Sequence, residues 1–187
     1  DRFSELARKV CVGSFNNSTA LTIERGGESM RAMDGFTWNI PVLEAMLRGE
    51  IYEVAQSDGA GGKPQFFTLA NTPEAFRGLG WEAITMNADD LACRGGLPTH
   101  ILSSNIDVKG ITDENWPLYE ALITGFGDAL GTSNLVLMTG ETAVMKHSIT
   151  AFCDTGDPSQ LILTWGATCL GLASQIKRPN GSTITPS

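Results

Sequence analysis

Residues 51–63 read IYEVAQSDGAGGK, a run of β-branched, aromatic and alternating residues that passes at once into an acid and a cluster of glycines. Ile51–Ser57 is therefore a strand, and Asp58-Gly59-Ala60-Gly61-Gly62-Lys63 is a loop of high backbone freedom at its carboxyl end. Pro64 argues against helix immediately afterwards. Leu79–Gly95 is small and apolar and closes on Gly95-Gly96, where a left-handed cap costs little, so it reads as a buried helix. His100–Val108 is a second strand. Thr112, Asp113 and Glu114 open a second helix, with acids at its positive end. Along it Trp116, Tyr119, Leu122, Ile123, Phe126 and Leu130 fall at three- and four-residue steps and form a core stripe. Asn134–Met138 is a short strand ending at Thr139-Gly140-Glu141-Thr142. Ser148–Asp154 reads as another, and Leu161–Leu172 as the last. The order β-α-β-α-β-β predicts an α/β (α+β) fold, a mixed sheet with two helices on one face. Its other face needs a cover, from a partner subunit or a second domain.

Upstream of residue 51 the signals weaken. Glycine, asparagine and mixed charges over Val12–Gly35 interrupt every pattern, so residues 1–50 are expected to be a mobile arm, with one short helix at Ile40–Leu47 stopped by Gly49. With 187 residues and 42% hydrophobic content, the chain builds one core. A net charge of −8 disfavours nucleic acid as a partner. The 21 glycines exceed the roughly 13 expected at ordinary usage, which points to specific backbone needs. Leu161–Ala173 falls well short of the ~20 residues of a bilayer-spanning helix, and the first ten residues lack the cationic and apolar regions of a leader. The expectation is a soluble, cytoplasmic protein with no membrane partner. Cys11, Cys93, Cys153 and Cys169 form no metal-binding spacing, so buried free thiols are expected.

Three acidic groups fall at or beside segment ends: Asp58, the pair Asp89 and Asp90, and Glu141. Loops at the carboxyl ends of strands hold ligands in open α/β sheets, so Asp58 and Glu141 can meet in space, with Asp90 added from the covering helix. Asp90 also lies four residues from Arg94, and a solvated ion pair between them is the simpler alternative. If the acids are functional, magnesium is the natural counter-ion, because it takes one or two carboxylates and fills its shell with water and phosphate. The glycine loop is neither of the better-known phosphate loops. A P-loop needs glycine at 57 and Ser or Thr at 64, where the chain has Ser57 and Pro64, and Pro64 also breaks the dinucleotide fingerprint. What remains is a set of glycines that let backbone amides approach an anion, followed by Lys63. His100 at a strand start and His147 beside Lys146 read as structural or surface groups. Asp89 and Asp90 surround Cys93 with negative charge, which opposes a thiolate there.

Taken in order, Ser57-Asp58-Gly-Ala-Gly-Gly-Lys63, then Asn87-Ala-Asp89-Asp90-Leu-Ala-Cys-Arg-Gly-Gly-Leu-Pro98, then Thr139-Gly140-Glu141-Thr142-Ala143 resembles the N-terminal half of the aminoimidazole ribonucleotide synthetase (phosphoribosylformylglycinamidine cyclo-ligase) family. That family carries a DGxGTK loop, an NDL-type helix followed by Gly-x-x-Pro, and a GGET turn. The resemblance covers about Val54–Ala173, so residues 51–173 are expected to be the ATP-binding N-terminal domain. Residues 174–187 would then begin a linker or a second domain whose remainder is absent. It implies that Asp58, Asp90 and Glu141 hold magnesium and that Asp58, Gly59, Gly61, Lys63, Asp90, Gly140, Glu141 and Thr142 bind ATP. Asp89 replaces the family's usual Asn. Gly62 stands where the family has Thr, and Thr139 where it has the first Gly of the turn. Glu141 favours the cyclo-ligase over the related thiamine-monophosphate kinase, which has Asp there.

The implied reaction uses ATP to phosphorylate the formamide oxygen of formylglycinamidine ribonucleotide. An amine of the same molecule then closes the imidazole ring, giving aminoimidazole ribonucleotide, ADP and phosphate, a step of purine biosynthesis. The family also pairs two subunits sheet to sheet into a barrel, which implies a homodimer acting on a small-molecule substrate. Two alternatives stay open: another kinase or synthetase of the superfamily, and a non-catalytic nucleotide-binding dimerisation module.

Overall fold

The structure, a computed structural model, describes residues 2–14, 17, 22–25, 28–31, 48, 52–173, 176–177, 180 and 182–184. The helix expected at Ile40–Leu47 lies outside the described residues. In chain order the elements are α1 (Arg2–Ser14), β1 (Thr22–Arg25), β2 (Glu28–Arg31), β3 (Tyr52–Gly59), α2 (Lys63–Ala70), α3 (Pro73–Cys93), β4 (Leu97–Val108), α4 (Trp116–Thr132), β5 (Val136–Leu137), β6 (Gly140–Val144), a 3-10 turn (Lys146–Ser148), β7 (Leu163–Ala173), β8 (Ile176–Lys177) and β9 (Thr183–Ile184).

The central sheet is mixed, in the order β3-β7-β4-β5, with β6 pairing β4 beyond β5. β7 runs antiparallel to β3 and β4, while β5 and β6 run parallel to β4. On one face α3 packs on β3 and β7 and against α4. Between helices and sheet lies a single core that includes Phe76, Leu79, Leu122, Phe126, Ile101, Ile106, Trp165 and Cys169. Trp165 fixes the centre. Its ring meets Phe126 edge-on at 4.9 Å, and its Nε1 donates to Ser104 Oγ at 2.8 Å, so the one polar atom of a buried indole is satisfied. Among the described residues no helix is long and apolar enough to cross a membrane.

Several elements depart from the sequence reading, each for a local reason. Pro64 does not exclude helix: it occupies the first turn of α2, where its missing N–H has no intrahelical partner to lose. α3 begins at Pro73 rather than near Leu79, because Thr72 Oγ1 accepts from Ala75 N at 3.2 Å and caps it. α4 starts after Asn115, not at Thr112. Asn115, only 2% exposed, exchanges bonds with Thr112 and donates to the carbonyls of Gly110 and Gln160, so the segment before it is a tied turn. Residues 140–144, read as a turn, form β6. Ser148–Asp154 is not a strand: Lys146 has φ 51, and the segment beyond is held by side chains, with Lys109 on Asp154 and Gln160 Nε2 on the Cys153 carbonyl.

The first residues also differ from an irregular arm. α1 packs on α4, β5 and β6. Cys11 Sγ donates to Leu137 O at 3.1 Å, Leu137 N donates to Ser14 Oγ at 2.8 Å, and the Arg2 guanidinium lies 4.0 Å from the centre of the Trp116 ring. β1 and β2 form an antiparallel hairpin, as do β8 and β9 within the stretch read as the start of a linker.

Backbone meets backbone where α3 crosses α4. A Cβ on Gly125 would lie 2.0 Å from Arg77 O, and one on Gly80 would lie 2.4 Å from Phe126 N. Gly125→Ala should therefore force the helices apart and destabilise the protein by more than about 3 kcal/mol, in the range of overpacked cores. Gly131→Ala, in the same helix but with open space at its Cβ, should be neutral or slightly stabilising. Urea denaturation of both variants checks this, and equal midpoints would refute it.

His100 is 1% exposed within β4, and burial lowers its pKa to about 4. The unfolded imidazole binds its proton near pH 6.5, so its contribution is complete above that value and is lost as pH falls toward 4. Stability should drop by roughly 2 kcal/mol between pH 7.5 and 5.0. A urea midpoint that does not move over that interval would contradict it.

Candidate functional site

The glycine loop is pinned to the sheet before it turns away. Ala60 N donates to Trp165 O at 2.7 Å, and a Cβ on Gly59 would come within 3.2 Å of the same oxygen, so glycine suits this close approach. Gly61 has φ +55, Lys63 N returns to Ala60 O at 3.0 Å, and α2 begins. The main-chain N–H groups of Gly61 and Gly62 make no hydrogen bond among the described residues, which leaves two donors uncommitted at the entrance to α2. Lys63 is not free to meet an anion: its Nζ sits 2.5 Å from Glu82 Oε2 on α3.

Asp58 and Asp90 come to one place. Asp58 is exposed near the end of β3, its Oδ1 accepting from Gly59 N at 2.8 Å while its own N–H donates to Asn87 Oδ1 at 3.1 Å. Asn87 is fully buried; its Nδ2 donates to Ala83 O within α3 at 3.0 Å, while its Oδ1 ties the helix to the strand, so both ends of its amide are satisfied. One turn further along α3, Asp90 accepts from Gln56 Nε2 at 3.0 Å. Among the described residues no ion pair joins the exposed Asp90 to Arg94; its partner is Gln56 instead. Asp89 is exposed beside it. Asn87 and Gln56 are the residues that sequence reasoning passed over as positioning groups. The available signal was a lone amide three residues before Asp90 on an otherwise apolar helix.

Glu141 stands elsewhere. Gly59, Gly166, Asn105 and Glu141 form one row across β3, β7, β4 and β6. Three strand spacings put the Glu141 backbone about 14 Å from Gly59. Side chains alternate, so Glu141 shares a face with Asn105 and with Ser57, opposite the helix-covered face that carries Gln56 and Asp58. Consistent with this, no three His, Cys, Asp or Glu side chains among the described residues are grouped to hold one metal ion. Thr142 takes the helix side, 3.0 Å from Tyr119 Oη, where burial pushes the tyrosine pKa up. A Cβ on Gly140 would lie 3.2 Å from Ser104 O. His147 and Cys93 are exposed, and burial raises the Cys169 thiol to about 12.

Residues 42–173, more than half of the chain, match the family profile described as AIR synthase related protein, N-terminal domain. The chain belongs to this family. Among relatives of known name, it is 25% identical over 138 residues to the phosphoribosylformylglycinamidine cyclo-ligase of Thermococcus kodakarensis, covering 74% of this chain and 36% of that protein. It is 24% identical over 137 residues to the enzyme of the same name from Pyrococcus horikoshii, covering 73% and 36%. The chain thus spans 36% of the length of these relatives. Among solved structures, the hydrogenase maturation protein HypE of E. coli aligns with a TM-score of 0.52 at 16% identity, over 90% of this chain and 43% of that one. A thiamine-monophosphate kinase from Stenotrophomonas maltophilia aligns with a TM-score of 0.51 at 17% identity, over 91% and 43%. These two likenesses speak to the fold.

Replacing the buried Asn87 by Leu would leave its contacts with the Asp58 N–H and the Ala83 carbonyl unmade. The expected cost is about 1–3 kcal/mol, measured by urea denaturation. A cost below about 0.5 kcal/mol would show that Asn87 is not a tether.

Proposed function

We propose that this domain binds Mg-ATP as the N-terminal part of an ATP-dependent cyclo-ligase, which forms aminoimidazole ribonucleotide from formylglycinamidine ribonucleotide with release of ADP and phosphate. The observation that carries this reading is the junction of β3 with α2 and α3. There two exposed carboxylates, Asp58 and Asp90, are held on either side of Gln56, beside a glycine loop with two uncommitted N–H groups. Carboxylate oxygens suit magnesium, and backbone N–H groups at a helix start suit phosphate, so the donor set fits the group. Bound magnesium would supply neutralisation of phosphate charge.

In this reading Asp58 and Asp90 hold the ion, while Gly59, Gly61 and the N–H groups after them cradle phosphates. Lys63 joins the phosphates only by leaving Glu82. Glu141, with Gly140 and Thr142, serves as a metal and phosphate group from the far side of the sheet. That placement is the reason to propose a homodimer: a second copy packed on the open sheet face, into a barrel, would cover the face that carries Glu141 and supply it with partners from outside its own subunit. The substrate's formamide oxygen, once phosphorylated, becomes the leaving group for ring closure by its own amine. The protein's share is orientation and charge placement. The fold shared with a thiamine-monophosphate kinase supports a second reading, phosphoryl transfer to a different small acceptor.

Calorimetric titration of the chain with ATP should show binding that requires magnesium, weakened about tenfold by Asp90→Asn and by Glu141→Gln. Unchanged affinity in both variants would remove the metal assignment. With the complete gene product, formylglycinamidine ribonucleotide and Mg-ATP should yield the imidazole product. ADP formed only with other acceptors would favour the kinase reading. In sedimentation the chain should run as a dimer.

A further inference from the structure

α1 closes a cavity of about 380 Å³ against β4, β6 and α4. Its floor is apolar, built by Ile106, Ile123, Phe126 and Leu137, and its lining includes one basic residue, Arg8 on α1, and one acidic residue, Glu141 on β6, whose side chain belongs to the other face of the sheet. The volume lies within the range of small-molecule sites, which combine apolar walls with a few polar groups. Arg8 and Glu141 form no ion pair with each other or with any other described residue, so a guanidinium stands ready at the mouth of an apolar hole. We propose that this cavity binds a small organic monocarboxylate, its apolar ring or branched body on the floor and its carboxylate on Arg8.

The guanidinium fork matches the two oxygens of a carboxylate. Glu141, a lining residue whose acid lies on the other face of the sheet, still adds negative charge nearby, which disfavours a phosphate dianion more than a single negative charge. The rim adds hydroxyl donors from Ser4 and Thr139. Cys11 also lines the cavity, but burial raises its pKa and its Sγ donates to Leu137 O, so among the described lining residues Arg8 is the one cation. The site lies on the helix-covered face at the β6 end of the sheet, three strands from Asp58, and goes beyond the nucleotide reading.

Calorimetric titration of the chain, without nucleotide or magnesium, tests it with 2-naphthoate, 2-naphthamide and 2-naphthyl phosphate as probes. Naphthoate should bind about tenfold more tightly than the uncharged amide and more tightly than the phosphate. Arg8→Met should weaken naphthoate about tenfold and leave the amide unchanged, since only the charged contact is removed. Ala7→Trp, which fills the cavity from α1, should abolish both, and Lys9→Met, which changes a neighbouring charge outside the lining, should alter neither. No heat with naphthoate, equal binding of acid and amide, phosphate binding as tight as the acid, or an Arg8→Met variant that binds as before would each overturn the proposal. None of these results depends on whether the chain binds Mg-ATP.

Discussion

The fold depends on a place where two helices meet without side chains between them. Gly80 on α3 and Gly125 on α4 face the partner helix's backbone at distances no Cβ could occupy, and this lets α3 sit close to α4 while both rest on the sheet. The consequence reaches the site. With α3 fixed at that depth, Asn87 comes level with the Asp58 N–H and Asp90 comes level with Gln56. A methyl group at the crossing would lift α3 away from β3, and the acids would lose the tethers that hold them beside the glycine loop.

A β-sheet sorts side chains strictly between two faces, and this sorting divides the acidic residues. Asp58 belongs to the face that α3 covers, while Glu141 belongs to the other, three strands away. An ion with ligands at about 2.1 Å cannot be shared over such a span inside one subunit. The open face and the isolated Glu141 therefore pose the same structural question, and one second copy would answer both. The charges nearer the loop tell a similar story: Lys63 lies against Glu82, so the N–H groups of Gly61 and Gly62 are the uncommitted donors there among the described residues.

α1 changes the character of the opposite end of the sheet. Its contacts through Arg2, Cys11 and Ser14 are polar and specific, and they close a hole whose walls come from the main core. A surface groove thereby becomes a partly open cavity in which Arg8 is the one cation among the described lining residues. The edge strand β6 borders this cavity through Thr142 while its Glu141 side chain turns to the other face, so the short segment 139–142 serves both sides of the sheet.

Local chemistry made much of the architecture legible in the sequence. The strand before Asp58, the apolar stripe from Trp116 to Leu130 and the small-residue helix ending at Gly95 all announce themselves by periodicity and backbone freedom, which act over a few residues. The family followed from three motifs in order. The sequence missed features that need a distant partner: β6, which is a strand only because β4 offers it a ladder; α1, whose narrow apolar stripe is stable only against α4; and the start of α2, where a proline is harmless by position. It named Asp58, Asp90 and Glu141 as acids of interest, because residue type and motif order are written in the chain. Which of them meet was decided by strand order and by the alternation of faces, since bringing residues together across a sheet depends on pairing that no local spacing encodes.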